Sequence, residues 1–305
     1  VSTPDRFGGA TDRFAGPVAA SALVVLGLVC QEVGAGVAVL LFPEAGPVGT
    51  VTLRLVFSAV LLLAVFRPRL RGRTRADWLT VLGFGLVLGG MNVVFYLALD
   101  RLPLGPTVTI EYLGPLVLSV VVARRASAWL WAALAFAGVA LLGRGGFDHL
   151  DPLGVLFAAA AGVLWVGYIL MSARTGKRFA RLDGLAIAAA IGGLGVLPFG
   201  IATSGDAFLD PRLLLFGLGV AVLSSAIPYG LELIALRRLP ADAFSILLSL
   251  APALAAAAGF VVLHQALEVW DLIAIALVVV ASMGAVRAAN RRRAELPPAG
   301  EITPS

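Results

Sequence analysis

Over 305 residues the chain is 60% hydrophobic and only 13% charged, against roughly 45–50% and about 25% in an ordinary soluble domain, so a water-soluble fold is excluded. A net charge of +5 does not mark a nucleic-acid binder, because the 22 arginines and one lysine, Arg54 apart, sit in the tails and in short hydrophilic gaps between apolar blocks. The single cysteine, Cys30, excludes an intrachain disulfide.

Each apolar block, about 18 to 24 residues long, suffices as a helix to cross a hydrocarbon core of about 30 Å. Breaks at charges, prolines and glycines predict an all-α polytopic membrane protein with ten transmembrane helices. These run Val18 to Leu41, Val48 to Phe66, Trp78 to Leu99, Leu104 to Val122, Ala128 to Leu142, Leu153 to Met171, Leu185 to Ala202, Leu213 to Leu236, Ala241 to Leu263 and Trp270 to Val286. The first is read as a spanning helix and not a cleaved signal, because Asp5 and Asp12 offset Arg6 and Arg13 ahead of it and Glu32 interrupts it.

Orientation follows from the Lys and Arg residues on alternate sides. One side holds 19, in the N-terminal tail, at Arg67 to Arg75, at Arg124 and Arg125, at Arg174 to Arg181, at Arg237 and Arg238, and in the C-terminal tail. The other holds three, Arg101, Arg144 and Arg212. Under the positive-inside rule both termini face the cytoplasm, which requires an even number of spans.

An internal repeat stands at an offset of 137 residues: Ala98, Leu99, Arg101, Leu102, Pro103, Leu113 and Pro115 align without gaps on Ala235, Leu236, Arg238, Leu239, Pro240, Leu250 and Pro252. Helix four thus corresponds to helix nine. Five spans per half make the second half enter from the opposite side, a 5+5 inverted repeat, with units at 1–148 and 149–305. Secondary transporters are built this way, with the solute site near the midplane.

Four ionisable residues fall within spans: Glu32, Arg54, Glu111 and Glu232. Each costs about 2.5–3.5 kcal/mol at the bilayer centre on insertion scales, so each is expected to face protein, water or an opposite charge. Glu32 and Arg54 lie at similar depth on antiparallel helices, either as a neutralising pair or as part of solute or ion handling. Spacings of three and four give polar faces: Gly85, Gly89, Asn92 and Tyr96; Thr107, Glu111, Gly114 and Pro115; Ser225, Tyr229 and Glu232; Ser245, Ser249 and Pro252. A shared cavity is the expectation for them, with Gly85 and Gly89 assigned to helix packing. Pro115 and Pro252 each follow by twelve residues the proline that opens their helix and interrupt it about 18 Å along, as hinges, as carbonyl donors or as plain kinks. Trp165 and Tyr168 are a further candidate pair.

The runs GGMNVVFYLALDRLPLGPTVTIEYLGPL from Gly89, LFPEAGPVGTVTLRL from Leu41 and LSSAIPYGLELIALRRLP from Leu223 closely resemble the EamA-type drug/metabolite transporters, amino-acid exporters in particular. The resemblance covers nearly all the membrane region. It implies a bacterial cytoplasmic (inner) membrane protein that exports neutral amino acids such as threonine and homoserine, driven by protons. It also implies a substrate-binding or coupling role within Glu32, Arg54, Asn92, Tyr96, Glu111, Tyr229 and Glu232, with Pro115 and Pro252 as hinges. Ala251 and His264-Gln265 depart from the pattern, which has a glutamate before the helix-nine proline and Gly-Glu after the helix.

The chemistry agrees with that cargo: a zwitterion needs an anion for its ammonium and a cation for its carboxylate, and the embedded Glu and Arg residues supply both. An intramembrane enzyme is disfavoured, since HExxH and GxSxG are absent, the two histidines, His149 and His264, fall in loops, and no carboxylate cluster suggests a metal. No cofactor is expected; a passive facilitator of the same fold is the remaining alternative. A reporter active only in the cytoplasm, fused to either terminus, is expected to give signal at both; signal at one end alone would mean an odd number of spans and no inverted repeat.

Overall fold

In a computed structural model of the chain, residues 17–123, 126–142, 150–179, 182–236, 239 and 241–295 are described. The N-terminal tail, Arg124, Arg125, Arg144, His149, Arg181, Arg237, Arg238 and Pro240 lie outside them. Among the described residues the helices group into ten rods: α1 (Pro17–Val39), α2 (Phe42–Phe66), α3 (Arg75–Leu99), α4a (Leu104–Glu111) with α4b (Leu113–Ala123), α5 (Ala126–Leu142), α6 (Pro152–Gly176), α7 (Asp183–Ser204), α8a (Pro211–Ala221) with α8b (Ile227–Leu236), α9a (Ala241–Leu248) with α9b (Ala251–Leu263), and α10 (Val269–Glu295). Eight stretches are long and apolar enough to cross a membrane. The two rods that fall short are α4, divided into pieces of 8 and 11 residues, and α5, with 17. The protein is an all-helical, multi-pass membrane protein.

Local chemistry sets the helix ends. Thr74 and Asp77 form a reciprocal capping box that starts α3 three residues before the predicted Trp78. Asp151 caps α6 by accepting from the Leu153 and Gly154 N–H groups. Arg101 donates to the same carboxylate at 2.6 Å and holds it below the usual carboxylate range. Helix α2 begins at Phe42, ahead of the predicted Val48, because Gly46 adopts φ 62° and carries the chain through Pro47 into the rest of the helix.

Three rods predicted as continuous are broken, each near a proline. Helix four parts at Tyr112, three residues before Pro115, and helix nine at Ser249 and Leu250, just before Pro252. Helix eight contains a π turn over Val222–Ala226, where Pro228 has no N–H to return to the Ser224 carbonyl.

Close packing follows the small residues. The main pairings are α3 with α6 and α7, α2 with α7 and α8, α1 with α8 and α9, α4 with α6 and α9, and α5 with α10. A Cβ on Gly85 would lie 2.6 Å from the Ile191 Cβ, and one on Gly89 would lie 3.0 Å from the Gly192 Cα, so both glycines serve the α3–α7 seam as expected. Gly114, predicted on a cavity face, instead lies against the Gly162 carbonyl of α6. Large apolar side chains point outward, among them Leu194, Phe199 and Phe260, each at least 63% exposed, as a surface solvated by lipid requires.

Gly114→Ala should destabilise the protein by about 1–3 kcal/mol through overpacking. Gly195→Ala, where nothing lies within 4 Å of the added methyl, should be neutral or stabilising by up to about 1 kcal/mol. Thermal unfolding of the two variants in detergent checks the contrast.

Candidate functional site: a charged cavity between broken helices

Where the ladders break, the helices do not close on one another, and a cavity of about 470 Å³ remains. It reaches from Glu32 of α1 and Arg54 of α2, near mid-helix, to Phe244 of α9a and Val286 of α10, beside the ends that carry the arginine-rich gaps. Its far end is sealed by buried Leu41, Ala45, Leu99, Leu104 and Val108, and by the Phe42 and Tyr96 rings, whose centroids are 5.9 Å apart.

Of the predicted site residues, Glu32, Arg54, Asn92, Glu111, Pro115, Tyr229 and Glu232 all line this space. Glu32 is 3% exposed, and Asn92 and Glu111 are each 8% exposed. Tyr96 stands behind Arg54: it accepts from Nη1 at 3.4 Å, and the guanidinium carbon lies 5.6 Å from its ring centroid. The ion pairs among the described residues are Arg101–Asp151 and Arg178–Asp77, both outside the cavity. Glu32 and Arg54 therefore do not form the contact pair weighed from their depth; both face the open space, and Tyr96 takes the guanidinium.

Other expectations are corrected. Pro252 is buried in the core and does not line the cavity. Ser225 turns to Ser58, oxygen to oxygen at 2.8 Å, and Thr107 donates back to the Pro103 carbonyl at 2.8 Å. Ser245, Ser249, Trp165 and Tyr168 do line the space. Ala251 lies in the core, whereas Gln265 caps α4a, its Oε1 accepting from the Leu104 N–H at 3.1 Å. His264 ends α9b in the left-handed conformation, at φ 54°.

Gln31, Tyr112, Ser224 and Ser282 also line the cavity, and sequence reasoning missed them. Neighbours on a helix point about 100° apart, yet the cavity is wide enough to take adjacent residues, Gln31 with Glu32 of α1, Met91 with Asn92 of α3, and Glu111 with Tyr112 of α4. Ser282 was findable as a hydroxyl inside an apolar span.

At the break itself Tyr112 joins the two halves. Pro252 has no N–H to donate to the Leu248 carbonyl four residues back. The Tyr112 hydroxyl donates to that carbonyl instead, at 2.9 Å, and its ring meets Trp165 edge-on with centroids 4.6 Å apart.

Four buried side-chain polar atoms have no partner among the described residues: Arg54 Nε, Ser224 Oγ, Ser282 Oγ and Thr175 Oγ1. The first three belong to residues of this cavity. Buried polar groups are almost always satisfied, so a space bordered by orphaned donors is built to hold water or a polar solute. Among the described residues no group of His, Cys, Asp and Glu is suited to a metal ion.

A multi-pass bundle whose broken helices enclose embedded charges defines a membrane transporter. Comparison with known proteins specifies which kind: the chain belongs to the EamA-like transporter family, whose family model matches residues 152–287. It is 37% identical over 271 residues to the threonine/homoserine exporter RhtA of Salmonella typhimurium strain LT2, covering 88% of this chain and 92% of that one. To the protein of the same name from Escherichia coli K12 it is 37% identical over 264 residues, covering 86% and 89%. A crystal structure at 22% identity superposes with a TM-score of 0.61 over 89% of this chain and 98% of the other, a likeness of fold.

Tyr112→Phe leaves the Leu248 carbonyl buried without its donor and should lower stability by about 1–3 kcal/mol. Thermal unfolding in detergent reads this directly, with Tyr168→Phe as the comparison.

Proposed function

We propose that the protein exports small neutral amino acids of the threonine and homoserine kind across a bacterial cytoplasmic membrane, by proton-coupled alternating access of two inverted five-helix units. The observation that carries this reading is the pairing, in one cavity closed at its far end, of the Arg54 guanidinium, whose Nε has no partner among the described residues, with three carboxylates, Glu32, Glu111 and Glu232. Arg54 takes the solute carboxylate, and the carboxylates take the ammonium group and the coupled proton. The exporter relatives at 37% identity support the cargo.

The inverted repeat has independent support. Residues Leu104–Glu111 and Ala241–Leu248 form the first pieces of the two broken helices, and the offset of 137 carries one onto the other end for end. The main pairings among rods are also unchanged when every rod is replaced by the one five places along: α3–α6 becomes α8–α1, α3–α7 becomes α8–α2, α4–α6 becomes α9–α1, and α2–α7, α4–α9 and α5–α10 map onto themselves. A pseudo-twofold axis in the membrane plane produces such a pattern. On this reading the chain has ten spans in units at 1–148 and 149–305, with Pro115 and Pro252 as hinges of the breaks, and the excess of Lys and Arg on one side supports cytoplasmic termini. The cavity then faces the cytoplasm, and the packing around Leu41, Leu99 and Leu104 is the closed outer gate.

Efflux and growth tolerance should be measured in cells expressing the protein against a panel of amino acids, beginning with threonine and homoserine. Tolerance should rise for a subset, and an uncoupler should abolish the efflux; efflux unchanged by the uncoupler would mean a passive facilitator. Glu111→Gln should lower driven export by about tenfold or more while the protein remains folded in the membrane, and Arg54→Gln should weaken solute binding about as strongly. Wild-type export by Glu111→Gln would remove that residue from the mechanism.

A further inference from the structure

Beside the main cavity lies a second one of about 230 Å³, and the two share Tyr168, Tyr229 and Glu232. The second cavity is bounded by α3, α6, α7 and α8b and runs from Glu232 to Gly176, the exposed last residue of α6. Its mouth therefore opens in the arginine-rich gap between α6 and α7. The rim is tied in place: Arg73 donates to the Arg178 carbonyl at 3.0 Å and lies 4.4 Å from the Phe179 ring centroid, while Arg178 pairs with Asp77 at 3.0 Å.

Like the main cavity this one is polar-walled, but it differs from it in charge. Thr175, on its wall, is 2% exposed, and its Oγ1 has no partner among the described residues. Such an orphan calls for water, and the volume holds several molecules at about 30 Å³ each. Glu232 is the one charged residue among its lining, whereas Arg54 borders the main cavity alone. A zwitterion has no place here for its carboxylate.

We infer that the second cavity is a water-filled proton route, separate from the solute's path, that connects Glu232 with the arginine-rich side of the membrane. This rests on the transport reading above and adds the group and the channel through which coupling occurs. Protonated Glu232 gives its carboxyl proton to a water in the second cavity and becomes a carboxylate. The hydronium gives its excess proton along waters held by Ser172 and Thr175 to the mouth and from there to bulk water, so that the waters of the route return to neutral; the rim beside it carries Arg73, Lys177 and the Arg178–Asp77 pair. A new proton reaches the carboxylate through the main cavity when that space faces the opposite side. Tyr229 on the same helix, Tyr168 from α6 and Tyr112 from α4 surround Glu232, and Glu32, Arg54 and Glu111 face it across the main cavity. The tyrosine pair is the partition that keeps the solute on one side.

The full chain, reconstituted in liposomes, provides two readouts with labelled threonine: exchange at equal concentrations without a pH gradient, and accumulation driven by an imposed gradient. Ser172→Phe fills the second cavity, and Thr175→Val removes its orphaned hydroxyl at constant shape. Driven accumulation should fall about tenfold in the first and about threefold in the second, with exchange within about twofold of wild type in both. If Ser172→Phe fails to fold, Thr175→Val decides alone. Accumulation unchanged from wild type, or exchange that falls in step with accumulation, would overturn the proposal, the latter by making this the solute's own path. A wild-type protein that exchanges no threonine would instead defeat the cargo reading, and the route with it.

Discussion

Lipid offers no hydrogen bonds, so every backbone group inside the membrane must find its partner within the protein. Prolines at 115, 228 and 252 violate the helical ladder that would otherwise meet this requirement, and the structure is organised around the consequences. The clearest is the bond from the Tyr112 hydroxyl to the Leu248 carbonyl, made between the two broken helices at the depth where both part. It satisfies a carbonyl that Pro252 leaves without its helical donor, and it fixes the two breaks against each other. The cavity is the space that these breaks leave open.

Embedded charge then becomes possible because the cavity supplies what lipid does not. Arg54 rests against Tyr96, which contributes a hydroxyl and a ring face but no countercharge, and its Nε stays free. Had Glu32 closed on Arg54 as an ion pair, both charges would have been neutralised and lost to a solute. Without that contact, both charges face the open space.

Small and polar residues thus divide into two populations. Gly85, Gly89 and Gly114 leave no room for a side chain against the neighbouring helix, and Ser58 and Ser225 pair across another seam. These make rigid rods. Ser224, Ser282 and Thr175 carry hydroxyls without partners among the described residues and border the two cavities. Close-packed seams thus stand beside cavities whose polar walls are left for water or solute.

From sequence, the helical architecture was legible to within a few residues, because block length, capping residues and charged gaps are properties of contiguous chain. The exceptions are the start of α2, which lies at Phe42 and not Val48, and the end of α10, which lies at Glu295 and not Val286. That Glu32, Arg54, Glu111 and Glu232 line a shared cavity was legible too, since a charge inside an apolar block is too costly to keep in lipid and must face a polar space or a partner. What the sequence left open was direction. Gly114 and Thr107 share a helical face with Glu111, yet Gly114 packs against α6 and Thr107 bonds to its own helix, while Tyr112, off that face, reaches the cavity. The helical period fixes the angles between side chains but not which of them a neighbouring helix covers. Which face turns inward past a break, and which hydroxyl finds a partner, depends on the neighbouring helices, and those contacts exist only once the chain is folded.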